Sequence, residues 1–153
     1  MKNIKFIILL LFLYNCGYSS IYKNQKFINF KMEIIKVEGD DNEMNNLIKN
    51  EIRLYSNKDS TDIYKLNINT DYKKEALTKN SEGDITDYNL SVTAKFQIDF
   101  LEKTQTVQFK ENINIKNLTD RFEQNAYETN IKRNFASSIR EKLISAIINI
   151  NDN

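Results

Sequence analysis

The chain contains no histidine, no proline and no tryptophan, one cysteine and only three glycines in 153 residues. Each absence removes a class of chemistry. Without histidine there is no imidazole general base, no Ser–His triad and no histidine metal site. One cysteine excludes a disulfide framework and a thiolate zinc centre. Three glycines are too few for a phosphate-cradling loop, and neither GxxxxGK nor GxGxxG occurs. An excess of one charge is also lacking: 22 Lys and Arg stand against 21 Asp and Glu. Nucleic-acid binding needs a strong basic footprint, which this balance does not supply. The chain therefore reads as a non-enzyme with no cofactor and no nucleic-acid partner. The remainder is ordinary globular composition, 41% hydrophobic and 28% charged, with no internal repeat.

The first sixteen residues carry the most specific signal. Lys2 and Lys5 precede an unbroken apolar run, Phe6–Leu13, and Cys16 follows at once. The run has the length of a signal peptide's apolar segment and falls short of the roughly 20 residues that span a bilayer. Leu13 stands three residues before Cys16, as in lipoprotein signals, whereas Tyr14 and Asn15 replace the small residues usual there. The expected layout is a lipoprotein signal peptide over 1–15, a lipid-anchored tether over 16–29 and a single domain over 30–150. Several acyl chains on Cys16 would make a durable membrane tether. Without the leader's two lysines the formal charge of +1 becomes −1.

Alternation and helical spacing then divide the domain. Phe30, Met32 and Ile34 face one way and Ile35 and Val37 the other, which predicts a strand covered on both sides at its end. Gly39-Asp40-Asp41 breaks it and offers an N-cap, with Glu43 in the first helical turn. Met44, Leu47, Ile48, Ile52 and Tyr55 recur at helical spacing to about residue 55. Residues 63–72 alternate, with Tyr64, Leu66, Ile68, Thr70 and Tyr72 opposite Lys65, Asn67, Asn69 and Asp71. Polar residues 73–87 predict a long hairpin tip. The clearest strand is 88–101, with seven alternating apolar positions from Tyr88 to Phe100. Residues 106–116 return with Val107, Phe109, Ile113 and Ile115 facing in, and Glu111 interrupting that row at an edge or bulge. Thr119-Asp120 can start a final helix, with the polar run to Ala126 readable as loop. Ile131, Phe135, Ile139, Leu143 and Ile147 then form a stripe ending near Asn149. The predicted fold is α+β, β-α-β-β-β-α, a small mixed sheet of about four strands with two helices on one face.

Candidate sites are few. Asp40-Asp41-Glu43 and Glu82-Asp84-Asp87 are carboxylate clusters, readable as a catalytic or calcium site or as helix cap and solvated turn. The calcium-loop pattern is absent. Lys73, Lys74 and Lys79 form a basic cluster in the predicted tip, either solvated or placed to meet lipid phosphate groups. Asn89, Ser91, Thr93, Lys95 and Gln97 line the polar side of the clearest strand. That row carries less charge than a wet surface usually does, and it would suit the polar interior of an outer-membrane barrel.

Cys16-Gly17-Tyr18-Ser19-Ser20-Ile21-Tyr22 at the expected mature start, Gly83-Asp84 leading to Tyr88-Asn89-Leu90, and a closing helix with Phe135-Ala136 and Ile139 resemble the LPS-assembly lipoproteins, the LptE-like family. The resemblance implies an outer-membrane lipoprotein on the periplasmic face, held by lipid on Cys16. It would plug and help assemble the LptD-like barrel that inserts lipopolysaccharide, and assist lipopolysaccharide delivery. Lys73, Lys74, Lys79 and Lys95 are candidate contacts for that anionic lipid, chosen by charge and predicted position. The alternative is an auxiliary lipid-binding lipoprotein of an envelope ABC-type transporter, with a sizeable apolar pocket between helix and sheet.

Overall fold

A computed structural model describes residues 29–151; the expected signal segment, Cys16 and nearly all of the expected tether lie outside the described residues. In chain order the elements are β1 (Lys31–Glu38), α1 (Asn42–Leu54), β2 (Ile63–Lys79), β3 (Ile85–Phe100), β4 (Lys103–Lys116) and α2 (Arg121–Asn151). The sheet order is β1-β2-β3-β4. β1 runs parallel to β2, and the other neighbours are antiparallel. The expected α+β class and element order are those observed.

β3 organises the core. Leu90, Val92, Ala94, Phe96 and Ile98 are at most 1% exposed. Tyr64, Leu66 and Ile68 of β2 join them on the same sheet face. Met44, Ile48 and Ile52 of α1 and Ile131, Phe135, Ile139, Leu143 and Ile147 of α2 close over that face. Burying one such side chain contributes roughly 1.5–3 kcal/mol relative to leaving it in water. Both helices therefore pack on one side, as the alternation requires.

Three boundaries differ from expectation. β1 is not covered on both sides. A bulge between Ile34 and Lys36 resets the register, so Ile34 sits beside Leu66 and Val37 beside Ile68, both toward the core. Ile35 is the extra residue and is 56% exposed. Second, residues 73–79 are strand and not hairpin tip. β2 continues to Lys79, paired with β3 down to Ile85, and only 80–84 turns. Backbone pairing holds that extension, and its mixed polar side chains carry no alternation to announce it. Asn80 Oδ1 shapes the turn by accepting from the Glu82 and Asp84 amides at 3.0 and 2.8 Å. Third, the polar run before Ala126 is helix. Asp120 Oδ1 caps it, accepting from the Phe122 and Glu123 amides at 2.7 and 3.0 Å. Gln124 is buried and accepts from the Leu118 amide at 2.8 Å.

Polar ties fix how α1 and α2 sit on the sheet. Asp41 Oδ1 accepts from the Met44 amide at 2.7 Å and caps α1. Lys132 of α2, 8% exposed, donates to Asp41 Oδ2 at 2.6 Å and Glu43 Oε2 at 2.9 Å. Its ammonium also lies 4.4 Å from the centre of the Tyr72 ring. The hydrogen bond from Lys132 is the largest influence on Glu43, and it holds that carboxyl below the ordinary value of 4.5 against the opposing effect of burial. Burial pushes the Tyr72 phenol up to about 12. Where β1 leaves the sheet, Gly39 has φ +151°, and an added Cβ would lie 2.1 Å from Thr70 Oγ1 and 2.5 Å from its carbonyl oxygen. Asn45 Nδ2 donates to the Gly39 carbonyl at 3.0 Å, and Thr70 hydrogen-bonds Asn45 in turn.

Two outcomes follow. Gly39→Ala meets both a disfavoured φ and backbone atoms of β2, and should lower unfolding free energy by about 2 kcal/mol in chemical denaturation. Lys132→Met removes the cation that lowers Glu43. A carboxyl held below its unfolded value stabilises above that value, and the gain is lost as pH falls through the folded value. The native chain should therefore lose stability below about pH 4.5, and the Lys132→Met chain should lose less over the same window in urea titrations.

Candidate functional site

The second sheet face is bare among the described residues. Register builds it row by row, with ten amide or hydroxyl side chains and five charged ones in the five central rows. Asn67, Gln97 and Thr106 lie side by side, then Asn69, Lys95 and Gln108, then Asp71, Thr93 and Lys110, then Lys73, Ser91 and Asn112, then Glu75, Asn89 and Asn114. None of these is buried, and no described helix covers them. Amides and hydroxyls outnumber charges in the two central strands. Some are already paired along the sheet: Asn89 Nδ2 donates to Asn114 Oδ1 at 2.7 Å, and Asp99 accepts from Thr104 at 2.6 Å. Such a face presents donors and acceptors in a regular array, with its five charges interspersed among ten neutral groups.

The four candidate lysines do not form one cluster. Lys73 and Lys95 share the bare face, four β3 positions apart through their partners Ser91 and Lys95 itself, which is about 13 Å along a strand. Lys73 pairs with Asp71 at 2.9 Å, and that hydrogen bond raises its pKa. Lys95 pairs with no carboxylate among the described residues. Lys74 is on the opposite face by parity. It pairs with Glu128 of α2 and lies 4.3 Å from the centre of the Tyr88 ring, so it ties the sheet to the helix. Lys79 is exposed at the last residue of β2, beside the turn. The expectation of a basic tip is thus corrected: Lys73 and Lys74 are mid-strand and point to opposite sides, because strand side chains alternate.

Glu111 is at an edge strand, as expected, but no bulge carries it. β4 keeps unbroken register with β3, and Glu111 stands beside Val92 on the core face. It accepts from Ser138 Oγ and Lys142 Nζ, both at 2.6 Å. Burial pushes its carboxyl up, and those two hydrogen bonds outweigh burial and hold it below 4.5. Glu111 is therefore an anchor for α2. A charged residue breaking an apolar strand row, with Ser138 and Lys142 four apart on a helix, was the available signal.

The carboxylate clusters resolve as cap and turn. Asp41 and Glu43 are taken by α1 and Lys132, and Asp87 accepts from Thr86 at 2.8 Å and from Thr78. Among the described residues no three ligating side chains converge on a metal position. The space between helices and sheet is filled by Met44, Ile48, Tyr64 and Phe96. The larger surface groove, about 830 Å³, lies between β1 and α1, is open, and is rimmed by Lys31, Glu33 and Arg53 with Met32, Ile34 and Leu54. It is not the closed apolar pocket of a lipid carrier.

No family model matches the chain, and no curated protein matches it in sequence. Solved structures do. The rare lipoprotein B of Shewanella oneidensis superposes with a TM-score of 0.57 at 15% identity, covering 79% of this chain and 98% of that one. A Caulobacter crescentus chain provisionally described as a lipoprotein gives 0.48 at 8% identity, covering 74% and 85%. An uncharacterised lipoprotein B of Nitrosomonas europaea gives 0.45 at 11%, covering 78% and 84%.

The split of the lysines has a measurable consequence. Lys74→Ala should lower stability by about 1 kcal/mol, because a partly shielded ion pair and a cation–π contact go together. Lys73→Ala should stay within about 0.5 kcal/mol of the native chain in the same denaturation assay. With the geometry and the superposition together, the conclusion is one of architecture: this chain has the α+β fold of a solved bacterial rare lipoprotein B.

Proposed function

We propose that this protein is a lipid-anchored envelope lipoprotein whose bare sheet face docks inside the lumen of an outer-membrane barrel that inserts lipopolysaccharide. In this reading it acts as plug and assembly partner, on the periplasmic side of the outer membrane, and it catalyses no reaction. The observation that carries the proposal is the open, hydrogen-bonding sheet face, in whose five central rows ten side chains are amides or hydroxyls and five are charges of both signs. A barrel interior is polar. A densely charged face would lose more hydration on entering it than fixed wall groups return. Amides and hydroxyls exchange water for wall hydrogen bonds at a net gain of about 1 kcal/mol each. Two further observations support the reading: the fold shared with a rare lipoprotein B, and the resemblance of the Cys16-Gly17-Tyr18 start and closing helix to LptE-like chains. Of the four candidate lysines, Lys95 and Lys79 are the cations left to meet the phosphate groups of lipopolysaccharide, since Lys74 is committed to Glu128 and Lys73 is paired with Asp71.

The test is recovery of a partner from detergent-solubilised outer membrane with the tagged full chain. A single large barrel protein should co-purify. Thr93→Arg combined with Gln97→Arg should reduce its recovery about tenfold, equivalent to about 1.4 kcal/mol, and leave stability within about 0.5 kcal/mol. Co-purification of an inner-membrane ATPase complex instead, or full recovery by the double variant, contradicts the proposal.

A further inference from the structure

The end of the domain where the chain enters has a surface of its own. Phe30 meets Tyr64 edge-on with ring centres 5.2 Å apart, and Tyr64 stacks on Phe100 at 4.1 Å. This aromatic row crosses β1, β2 and β3 and places residue 30 beside the β3–β4 turn. The loop after α1 holds the chain from the other side. Ser60 Oγ donates to the Asn29 carbonyl at 2.6 Å, and the Asn57 amide donates to the Phe30 carbonyl at 3.1 Å. The chain therefore enters between the turn at Leu101 and the loop that follows Leu54. Those two leucines are 88% and 76% exposed. Leu101 also has φ +53°, in the left-handed region that disfavours a side chain. Arg53 adjoins Leu54 and Lys103 lies two residues beyond Leu101, with Lys58 in the loop between α1 and β2; Glu102, Asp59 and Asp62 stand among them and balance their charge.

We infer that this end rests on the lipid surface that holds Cys16. Leu54 and Leu101 dip into the boundary between headgroups and acyl chains, and the charged groups of both signs that flank them stay at the headgroup level. The inference rests on the lipid-anchored reading above and adds an orientation to it.

The opposite end also exposes apolar groups, Phe122 at 82% and Leu77 at 50%. Tether length decides between the two ends. Thirteen chain steps lead from Cys16 to Asn29. A stretch of that length reaches at most about 45 Å. Helix α2, with 31 residues, is about 46 Å long. Its far turn lies by Lys103 and Gln105, at the end where the chain enters. Turning the domain over to set Phe122 on the lipid would need the whole of that maximum reach, whereas resting on the near end does not.

The chain has no tryptophan, so single-tryptophan variants report depth without background. Leu101→Trp, Leu54→Trp, Phe122→Trp and Thr93→Trp are each made in the full chain, recovered from bacterial membranes and reconstituted in phosphatidylethanolamine–phosphatidylglycerol vesicles with brominated acyl chains. Leu54, Leu101 and Phe122 are exposed and Thr93 is half-buried on the open sheet face, and far-UV circular dichroism checks that each variant is folded. Several-fold quenching and a blue-shifted emission are expected at positions 101 and 54, with neither at 122 or 93. Quenching at 122 but not 101, or at none of the four, overturns the orientation. The mass of the N-terminus in the same preparations reports the anchor separately. Quenched Leu101→Trp with an unlipidated Cys16 would remove the anchor and keep the contact. A lipidated Cys16 with unquenched Leu101→Trp would do the reverse.

Discussion

Seven side chains at every second position of β3, from Tyr88 to Phe100, lie on one side of the sheet, and the architecture depends on that parity. β2 repeats it from Tyr64 to Tyr72 in matching antiparallel register. A slip of one residue would turn every apolar group to water, so the register is strongly fixed. Once the apolar groups share a side, both helices must pack there. The other side is then left to polar side chains, amides and hydroxyls with interspersed Lys, Asp and Glu. The bare face is thus a consequence of how the core is built.

The helices are positioned by a small set of ties from α2. Lys132 reaches the first turn of α1. Arg140 lies 3.3 Å from Glu51 through Nε, an ion-pair contact without hydrogen-bond alignment, and 3.8 Å above the Tyr55 ring. Lys142 reaches across to Glu111 on β4. Partly exposed pairs such as these add little net stability individually. Their spacing along one helix, however, gives α2 a single rotation and height on the sheet. Gly39 sets the matching constraint at the start of α1, where Thr70 leaves no room for a side chain.

Wherever one face is apolar, the sequence was readable. β3, the inner half of β2, the stripe from Ile131 to Ile147 and the cap at Asp41 all follow from spacing and charge. Where both faces are polar, spacing is silent. Lys73–Lys79 is strand because β3 runs alongside it, and the helix before Ala126 is held by Asp120 and the buried Gln124. The Ile35 bulge was hidden for another reason: one extra residue makes a one-faced strand look two-faced. The candidate face was legible as a polar row on β3, and register added Asn67, Asn69, Gln108 and Asn112 to it. The basic cluster was not, because neighbours in sequence on a strand part company in space. Lys74 went to Glu128 and Lys73 to the open face.

A sheet with one closed side and one open, hydrogen-bonding side is suited to being surrounded by a polar wall. The most direct measurement is site-specific photo-crosslinking in living cells, with the photoreactive residue at Thr93 on the open face and, for comparison, at Glu141 on the outer side of α2. Docking by the open face predicts an adduct at 93 with one outer-membrane barrel whose mobility changes on heating. Adducts from 141 with none from 93 would contradict it.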